Sequence, residues 1–452
     1  MTTPAVTTPD DHSAPKGPLE RMLAPIADVH RGEAGGVLLM ALVMFLILGA
    51  YYMLKTAREV FILSEGGAEV KSYSAAGQAI LLLVLVPAYG AFASKVNRSR
   101  LVRWVTLYYA SHIVLFYMAS SAGLHIGIPY FLWVGIFSVM VIAQFWAFAN
   151  DIYTPAQGKR LVPVLGLGAS LGAWVGSVRA GYLVGALGPQ RLLLGGAAIL
   201  VVCVLLIQVV NRRIKNHETP AQAAAADQPL GKEGGFQLIF SDRYLMLMAV
   251  LTVLLNVVNT SGEYLFGRYV VDSANAMYGT GPEAAPLRER FIGTTYSQLF
   301  GAVNLTGFLL QMFVVSRVFK YLGVGKSLFI HPIIAGVGYL LLLRAPSITA
   351  MRWLKVADNS IDYSLGNTTK QALWLPTSRE AKYKAKQAVD SFFMRAGDVV
   401  QAGIVFSGER LSMAVPGFAA LNIVLVGAWL SVVAMINVNL RRKAAAEKTA
   451  TL

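Results

Sequence analysis

At 452 residues with 56% hydrophobic and only 14% charged side chains, the chain carries far less charge than the roughly 25% of an ordinary soluble domain, and it reads as an all-α polytopic membrane protein. Its single cysteine, Cys203, excludes an intramolecular disulfide and a cysteine-built metal site. The net charge of +15 raises nucleic acid as a partner, but the charge is scattered over short segments and forms no single basic face.

Residues 1–35 are polar, with Pro4, Pro9, Pro15 and Pro18, and are expected to form a cytosolic tail. No basic region followed by a short apolar core marks a signal peptide. Apolar runs near 36–63, 72–94, 101–122, 127–152, 161–187 and 190–210 are each long enough for about 30 Å of hydrocarbon. They give predicted spans 1 to 6 and an N-terminal bundle over 36–210. The stretch 211–242, rich in Ala, Gly and charge, is predicted to be a cytosolic linker ending in a short interfacial segment. Runs near 243–270, 292–317, 323–343, 346–374, 385–407 and 414–440 give spans 7 to 12, a C-terminal bundle over 243–440 and a tail over 441–452. With the N-terminus inside, the tails and even-numbered connections hold 25 of the 39 Lys and Arg residues, which places both termini in the cytosol.

The two bundles carry a degenerate repeat. Residues 144–181 pass from an apolar helix ending in Asn150 and Asp151, through a short basic loop containing Pro155, into a glycine-spaced helix bearing Arg179. Residues 362–403 repeat the plan with Asn367 and Lys370, a basic loop containing Pro376, and a helix with Asp390, Arg395 and Asp398. Two similar halves of a membrane protein suggest a transporter.

A charge at the centre of a membrane helix costs roughly 2.5–3.5 kcal/mol on insertion scales, so a cluster survives where it pairs or lines an aqueous cavity. On span 1, Tyr51, Lys55, Arg58, Glu59 and Ile62 fall on one helical stripe. Span 7 has a matching stripe of Asn256, Asn259, Glu263 and Gly267, span 8 offers Ser297, Asn304 and Gln311, and span 10 carries Lys355, Asp358, Asn359, Asp362, Gly366 and Lys370. Some of these charges can satisfy one another within a helix, as Lys55 with Glu59 or Arg395 with Asp398. The bases Lys55, Arg58, Arg179, Arg268, Lys355, Lys370 and Arg395 nevertheless exceed what helix assembly needs. Arg forks and Lys point charges suit phosphate or carboxylate, so a phosphorylated anion is the expected substrate. Tyr51, Tyr52 and Phe148 are candidates for stacking on a planar ring, although aromatic residues of membrane helices more often pack or anchor. Lys55 and Glu263 are expected to face each other and to pair in the empty carrier.

Two glycine motifs are decoys. Gly166, Gly168, Gly172, Gly176 and Gly181 make a small-residue face for close helix approach, and the run Gly166–Gly172 follows no strand and lacks the dinucleotide spacing. Gly325-Lys326-Ser327 lacks the preceding glycine of a P-loop, since Lys320 stands there, and is expected to be a basic turn between spans 8 and 9. ATP hydrolysis, a metal and a cofactor are not expected. A membrane enzyme is disfavoured by the lack of a His pair or nucleophile elbow, and a non-transporting scaffold by the buried charge.

The passages FWAFANDIYTPAQGKRLVPVLGLGASLGA and NTTKQALWLPTSREAKYKAKQAVDSFFMRAGD resemble the span 4–5 and span 10–11 passages of the ATP/ADP translocase family of obligate intracellular bacteria and plastids. The resemblance implies a major-facilitator-type fold of twelve spans in two six-helix pseudo-repeat bundles and an ATP/ADP antiporter. Its membrane charges carry over to Lys55, Asp151, Glu263 and Lys370. The expected substrate-binding set is therefore Lys55, Arg58, Asp151, Arg179, Glu263, Lys370 and Arg395. Glu59, Asn150, Asn259, Asp362, Asn367 and Asp398 are expected to gate the site or support it. The expected setting is the bacterial cytoplasmic membrane, as a monomer in the lipid bilayer. The runner-up is a major-facilitator-like carrier of another organic anion or a lipid headgroup.

Overall fold

The computed structural model of the chain describes residues 17–24, 26–30, 32–93, 98–153, 155–214, 235–344, 347–378 and 381–450. Helices stand at all twelve positions where spans were expected, and the described residues contain no strand. In the first half these are α1 (Pro18–Leu23), α2 (Ala34–Ala93), α3 (Arg98–Ser121), α4 (Gly127–Ile152), α5 (Pro155–Leu187) and α6 (Pro189–Ile214). The second half begins with α7 (Gly235–Ser241), α8 (Arg243–Tyr278), α9 (Ala285–Phe313), α10 (Val315–Ser327) and α11 (Ile330–Arg344). It continues with α12 (Ile348–Ile361), α13 (Asn367–Ala372), α14 (Lys386–Ala388), α15 (Met394–Arg410) and α16 (Val415–Ala450), with π-helical turns at Asp362–Gly366, Ala381–Ala385 and Val389–Phe393.

Six segments are long and apolar enough by themselves to cross a membrane: Ala34–Val86, Gly127–Trp146, Arg160–Leu187, Pro189–Val210, Arg243–Tyr278 and Val415–Arg442. The pair Pro282–Phe313 and Val315–Ser327, bent by 75°, makes a seventh if taken as one span. The positions of spans 10 and 11 fall short for a physical reason. There the helix carries Lys355, Asp358, Asp362, Lys370, Arg395 and Asp398 and is interrupted by π turns.

Spans 1 and 2 form one element. The stretch between them, expected as an outward connection, stays helical through α2 and breaks only at Gly67, whose φ of 72° is open to glycine and strained for other residues. The Gly325-Lys326-Ser327 segment is likewise part of helix α10 rather than a turn, with the chain bent at Gly323. Caps fix several helix starts. Glu65, near the end of the first arm of α2, accepts from the Ile126 and Gly127 amides at the start of α4 (3.2 and 2.7 Å). Asp242 caps α8 and Ser347 caps α12 through their side-chain oxygens.

The buried apolar side chains form two clusters. One is built entirely from the first half, including Val43, Ile47, Tyr130, Phe137 and Leu200. The other centres on Leu255, Phe266, Leu299, Tyr339 and Val433 of the second half, and takes in Val60, Ile62, Leu63 and Ala68 of α2. Helix α2 therefore belongs to both cores, and what lies on its inner face sits between them.

The glycine face of α5 does what its spacing predicts. Cβ atoms at Gly168, Gly172 and Gly176 would run into the backbones of Ala41, Phe45 and Gly49, residues four apart on α2. Backbone on the other side of such a contact has nowhere to move. Gly172→Ala should therefore lower stability by about 1–3 kcal/mol, the usual cost of overpacking, and Gly166→Ala, whose Cβ would meet nothing within 4 Å, should not. Thermal unfolding of the two variants in detergent tests the contrast, and equal midpoints would remove the close-packed role of this face.

Candidate functional site

A chain of alternating charges crosses between the halves. On the first arm of α2, Arg58 reaches the adjacent Glu59 at 2.5 Å and lies 4.5 Å above the Phe131 ring. The kink at Gly67 folds the second arm back, so that Lys71 meets the same Glu59 at 2.7 Å. Lys71 then extends to Glu263 of α8 at 3.6 Å and donates to the Tyr296 hydroxyl of α9 at 3.2 Å. Glu263 is shared with Lys355 of α12 at 3.3 Å, and Lys355 also pairs with Asp358 at 3.1 Å and donates to the Asn259 side-chain oxygen at 2.7 Å. Asn359 donates to Glu263 at 3.1 Å, and His331 Nε2 closes the series 2.9 Å from Asp358.

The packing around this chain is adapted to it. A Cβ at Gly262 would sit 3.3 Å from Lys355 Nζ, so the glycine beside Glu263 leaves the ammonium its space. The side chains of Glu59 and Lys355 are 0% exposed. An isolated charge at such depth costs several kcal/mol, which only a partner offsets. Arg58, Lys71 and Lys355 balance Glu59, Glu263 and Asp358. One cation is left over: Lys55 makes no ion pair among the described residues and stands instead 4.3 Å above the Phe300 ring and 5.3 Å from that of Tyr52.

Lys55, Arg58, Glu59, Lys71, Glu263 and Asn359 line a cavity of about 200 Å³, with Tyr363 and Phe300 as its aromatic walls. It holds one ammonium with no ion pair among the described residues, planar rings, and further cations paired to carboxylates, the kinds of group that suit a phosphate or carboxylate.

A second charged hollow, of about 190 Å³, lies within the second half and includes Asn367, Lys370, Asp390 and Trp374. Lys370 pairs with Asp362 at 3.2 Å. The π turn at Asp362–Gly366 inserts an extra residue per turn, so the stripe that began at Lys355 is split, and Lys370 faces this hollow rather than the central cavity. Arg395 pairs with Asp398 at 3.4 Å, and Asn256 donates to Asp398 at 2.7 Å.

The expected site residues thus separate. Lys55, Arg58, Glu59, Asn259 and Glu263 come together, with Tyr52 against Lys55 and Tyr51 5.2 Å from Tyr52. Lys370, Asp362 and Asn367 gather in the second hollow, with Arg395 and Asp398 paired on α15. Phe148 is buried in the core of the first half, and Arg179 is exposed on α5. The side chains of Asn150 and Asp151 lie outside the described residues. The expected Lys55–Glu263 pair is replaced, because Lys71 and Lys355 both come within ion-pair distance of Glu263. Lys71 was placed among the outward connections, and the signal for it was a lone lysine one turn after the Gly66-Gly67 break in an apolar helix. His331 sits in an apolar run, where nothing local marks its contact with Asp358.

No protein-family model matches the chain. Among curated proteins it is 21% identical over 497 residues to ADP,ATP carrier protein 1 of Rickettsia bellii, covering 93% of this chain and 95% of the relative. Its relatives are ADP,ATP carriers. The corresponding protein of Chlamydia trachomatis is 23% identical, with 66% of this chain aligned to 62% of the relative. The chloroplastic carrier of Arabidopsis thaliana is 24% identical over 65% of this chain and 51% of its own length. These are proteins of the family that the span 4–5 and span 10–11 passages resemble. Among solved structures, a POT family transporter in complex with a thioalcohol-conjugated peptide superposes with a TM-score of 0.64 at 13% identity, over 90% of this chain and 96% of the other. A bacterial homologue of the iron transporter ferroportin, in an inward-facing state, gives 0.60 at 15% identity, over 90% and 98%. The fold is that of major-facilitator-type transporters.

The network is asymmetric in what each removal leaves behind. Without Lys71, Glu59 retains Arg58 and Glu263 retains Lys355. Without Lys355, the buried Asp358 retains only His331. Lys355→Met should therefore cost about 3–5 kcal/mol, as for breaking a buried pair, and Lys71→Met clearly less. Adding Asp358→Asn to Lys355→Met should recover part of the loss. Thermal midpoints of the purified variants in detergent check this order, and its reversal would contradict the pairing described.

Proposed function

We propose that the chain is a secondary transporter of nucleotides in the bacterial cytoplasmic membrane, exchanging one nucleotide for another at the central cavity by alternating access and without hydrolysing ATP. In this reading twelve spans form bundles over 36–210 and 243–440, joined by a cytosolic linker over 211–242 and flanked by cytosolic tails over 1–35 and 441–452, and the carrier works as a monomer. Lys55 carries the proposal, as an ammonium without a carboxylate between aromatic rings at the junction of the two halves. The names of the relatives support a nucleotide as the anion, and the fold supports two bundles moving about a central site.

Three side-chain hydrogen bonds between the halves support a reading of the carrier's state. Ser297 donates to the Ser177 carbonyl at 2.7 Å, Asn304 to the Ser177 hydroxyl at 3.1 Å, and Gln401 to Ser72 at 3.4 Å. Ser177 and Ser72 lie in the parts of α5 and α2 away from the linker, which supports a reading in which the bundles are joined on that side. The cavity of about 200 Å³ is smaller than the roughly 300–1,000 Å³ of ordinary ligand sites, which fits an empty carrier whose bundles separate to admit cargo. Lys370 and Arg395, on the linker side of α13 and α15, are proposed to meet phosphates arriving from the cytosol together with Asn150 and Asp151 of the first half, and Arg179, on the part of α5 away from the linker, is proposed to serve the far side.

Labelled ATP or ADP should enter proteoliposomes severalfold faster when they are preloaded with unlabelled nucleotide. Equal uptake into empty vesicles would overturn exchange, and uptake of another organic anion with none of nucleotide would overturn the substrate. Lys55→Gln should weaken nucleotide binding by about ten- to a hundredfold, the value of a charge-assisted hydrogen bond, with the thermal midpoint nearly unchanged because this lysine has no buried partner to strand.

A further inference from the structure

We infer that the groove between α5, α9 and α12 holds an anionic glycerophospholipid, with its phosphate on Arg290 and Arg352 and an acyl chain along the α5–α9 seam. The groove touches both halves and measures about 600 Å³, against about 200 Å³ for the central cavity. No acidic residue lines it. Neither Arg290 nor Arg352 makes an ion pair or hydrogen bond among the described residues. Two guanidinium groups bordering one groove, Arg290 exposed and Arg352 half-buried, without a carboxylate between them, favour an anion from outside the chain.

The polarity of the groove identifies the kind of anion. Arg290, Thr294 and Arg352 stand near the ends of α9 and α12 that lie away from the linker, and Arg352 and Thr294 also border an adjoining hollow of about 280 Å³ with Thr349 and Gln298. Toward the middle of the helices the lining turns apolar, with Trp174, Val178, Ala302 and Leu305. From Ala186 back to Trp174 the α5 wall runs about 18 Å at 1.5 Å per residue, close to the depth of one leaflet of a core about 30 Å thick. Charge at the membrane edge and an apolar channel one leaflet deep match a phospholipid and not a free phosphate. Glycines open the channel: a Cβ at Gly185 would sit 3.4 Å from Arg290 Nε, and Gly181 takes the Ser297 side chain of the opposite wall. Tyr182, 71% exposed, flanks the opening on the membrane face. Since α5 belongs to one half and α9 and α12 to the other, the lipid bridges the seam and favours the joined arrangement.

The test is retention of lipid by the purified full chain, read by native mass spectrometry, together with the thermal midpoint in the presence of phosphatidylglycerol, phosphatidylcholine or inorganic phosphate. Phosphatidylglycerol should be retained about tenfold over phosphatidylcholine and should alone raise the midpoint. Arg290→Gln with Arg352→Gln should bring retention of the two lipids to parity. Equal retention of both lipids by the wild-type protein would overturn the proposal without any variant. Stabilisation by inorganic phosphate equal to that by phosphatidylglycerol would also overturn it, as a site for an ion and not a lipid. If the double variant does not fold, the single changes decide: each should lower the preference, and an unchanged preference in both removes the arginines from the site.

Discussion

Neutralisation of charge at the depth of the membrane is the constraint from which the rest of this structure follows. Glu59 and Lys355 are wholly withdrawn from solvent, and each has one partner on its own helical arm, Arg58 and Asp358, and draws a second from another segment. Glu59 needs Lys71, which reaches it because the chain reverses at Gly67 and brings the second arm of α2 back along the first. Lys355 needs Glu263 from α8, and Glu263 in turn completes Lys71. A requirement that is local in origin therefore becomes a junction of three helices, α2, α8 and α12, tied together by distances of 2.7–3.6 Å.

The two kinds of helix contact in the molecule divide the work of holding and moving. Within the first half, α2 and α5 meet backbone to backbone through Gly168, Gly172 and Gly176, where no side chain can rotate to yield. Between the halves, α5 meets α9 through Ser177, Ser297 and Asn304, whose hydroxyl and amide groups exchange partners at a net cost of about 1 kcal/mol each. Packing of the first kind leaves no room for a side chain, and contacts of the second kind are polar and exchangeable. The same small-residue helix supplies both, on different faces.

This division explains what was legible in the sequence. Glycines at intervals of four announce a close helix contact because the period is local, and the stripes of Lys55, Arg58, Glu59 and of Asn256, Asn259, Glu263 are legible for the same reason. The apolar runs likewise located the helices at the twelve expected span positions. Their count as spans was less secure where charge and π turns interrupt the run, as between Lys355 and Asp398. Pairing across elements was not legible. Lys71 looked like part of an outward loop because a double glycine usually ends a helix, and here it only bends one. Lys370 looked like the continuation of the Lys355 stripe because a π turn leaves no trace in hydrophobic spacing. The partner of Glu263 was expected to be Lys55, the base at matching depth, whereas the fold supplies two lysines from other segments.

That substitution changes how the site can work. If Glu263 were held by Lys55 alone, an anion binding Lys55 would leave a buried carboxylate with no partner, and loading would be opposed by several kcal/mol. In the observed arrangement Lys55 is already free for an anion, and the link that spans the halves is Lys71. Each carboxylate that Lys71 touches has a second cation, Arg58 for Glu59 and Lys355 for Glu263. Lys71 can therefore turn toward a phosphate without stranding either acid, while in the empty site it has no better partner than the two it bridges. On the proposed reading, the network opens at Lys71 when an anion is present to receive the lysine. On the exchange reading this is the required coupling, since an empty carrier stays joined and a loaded one is released.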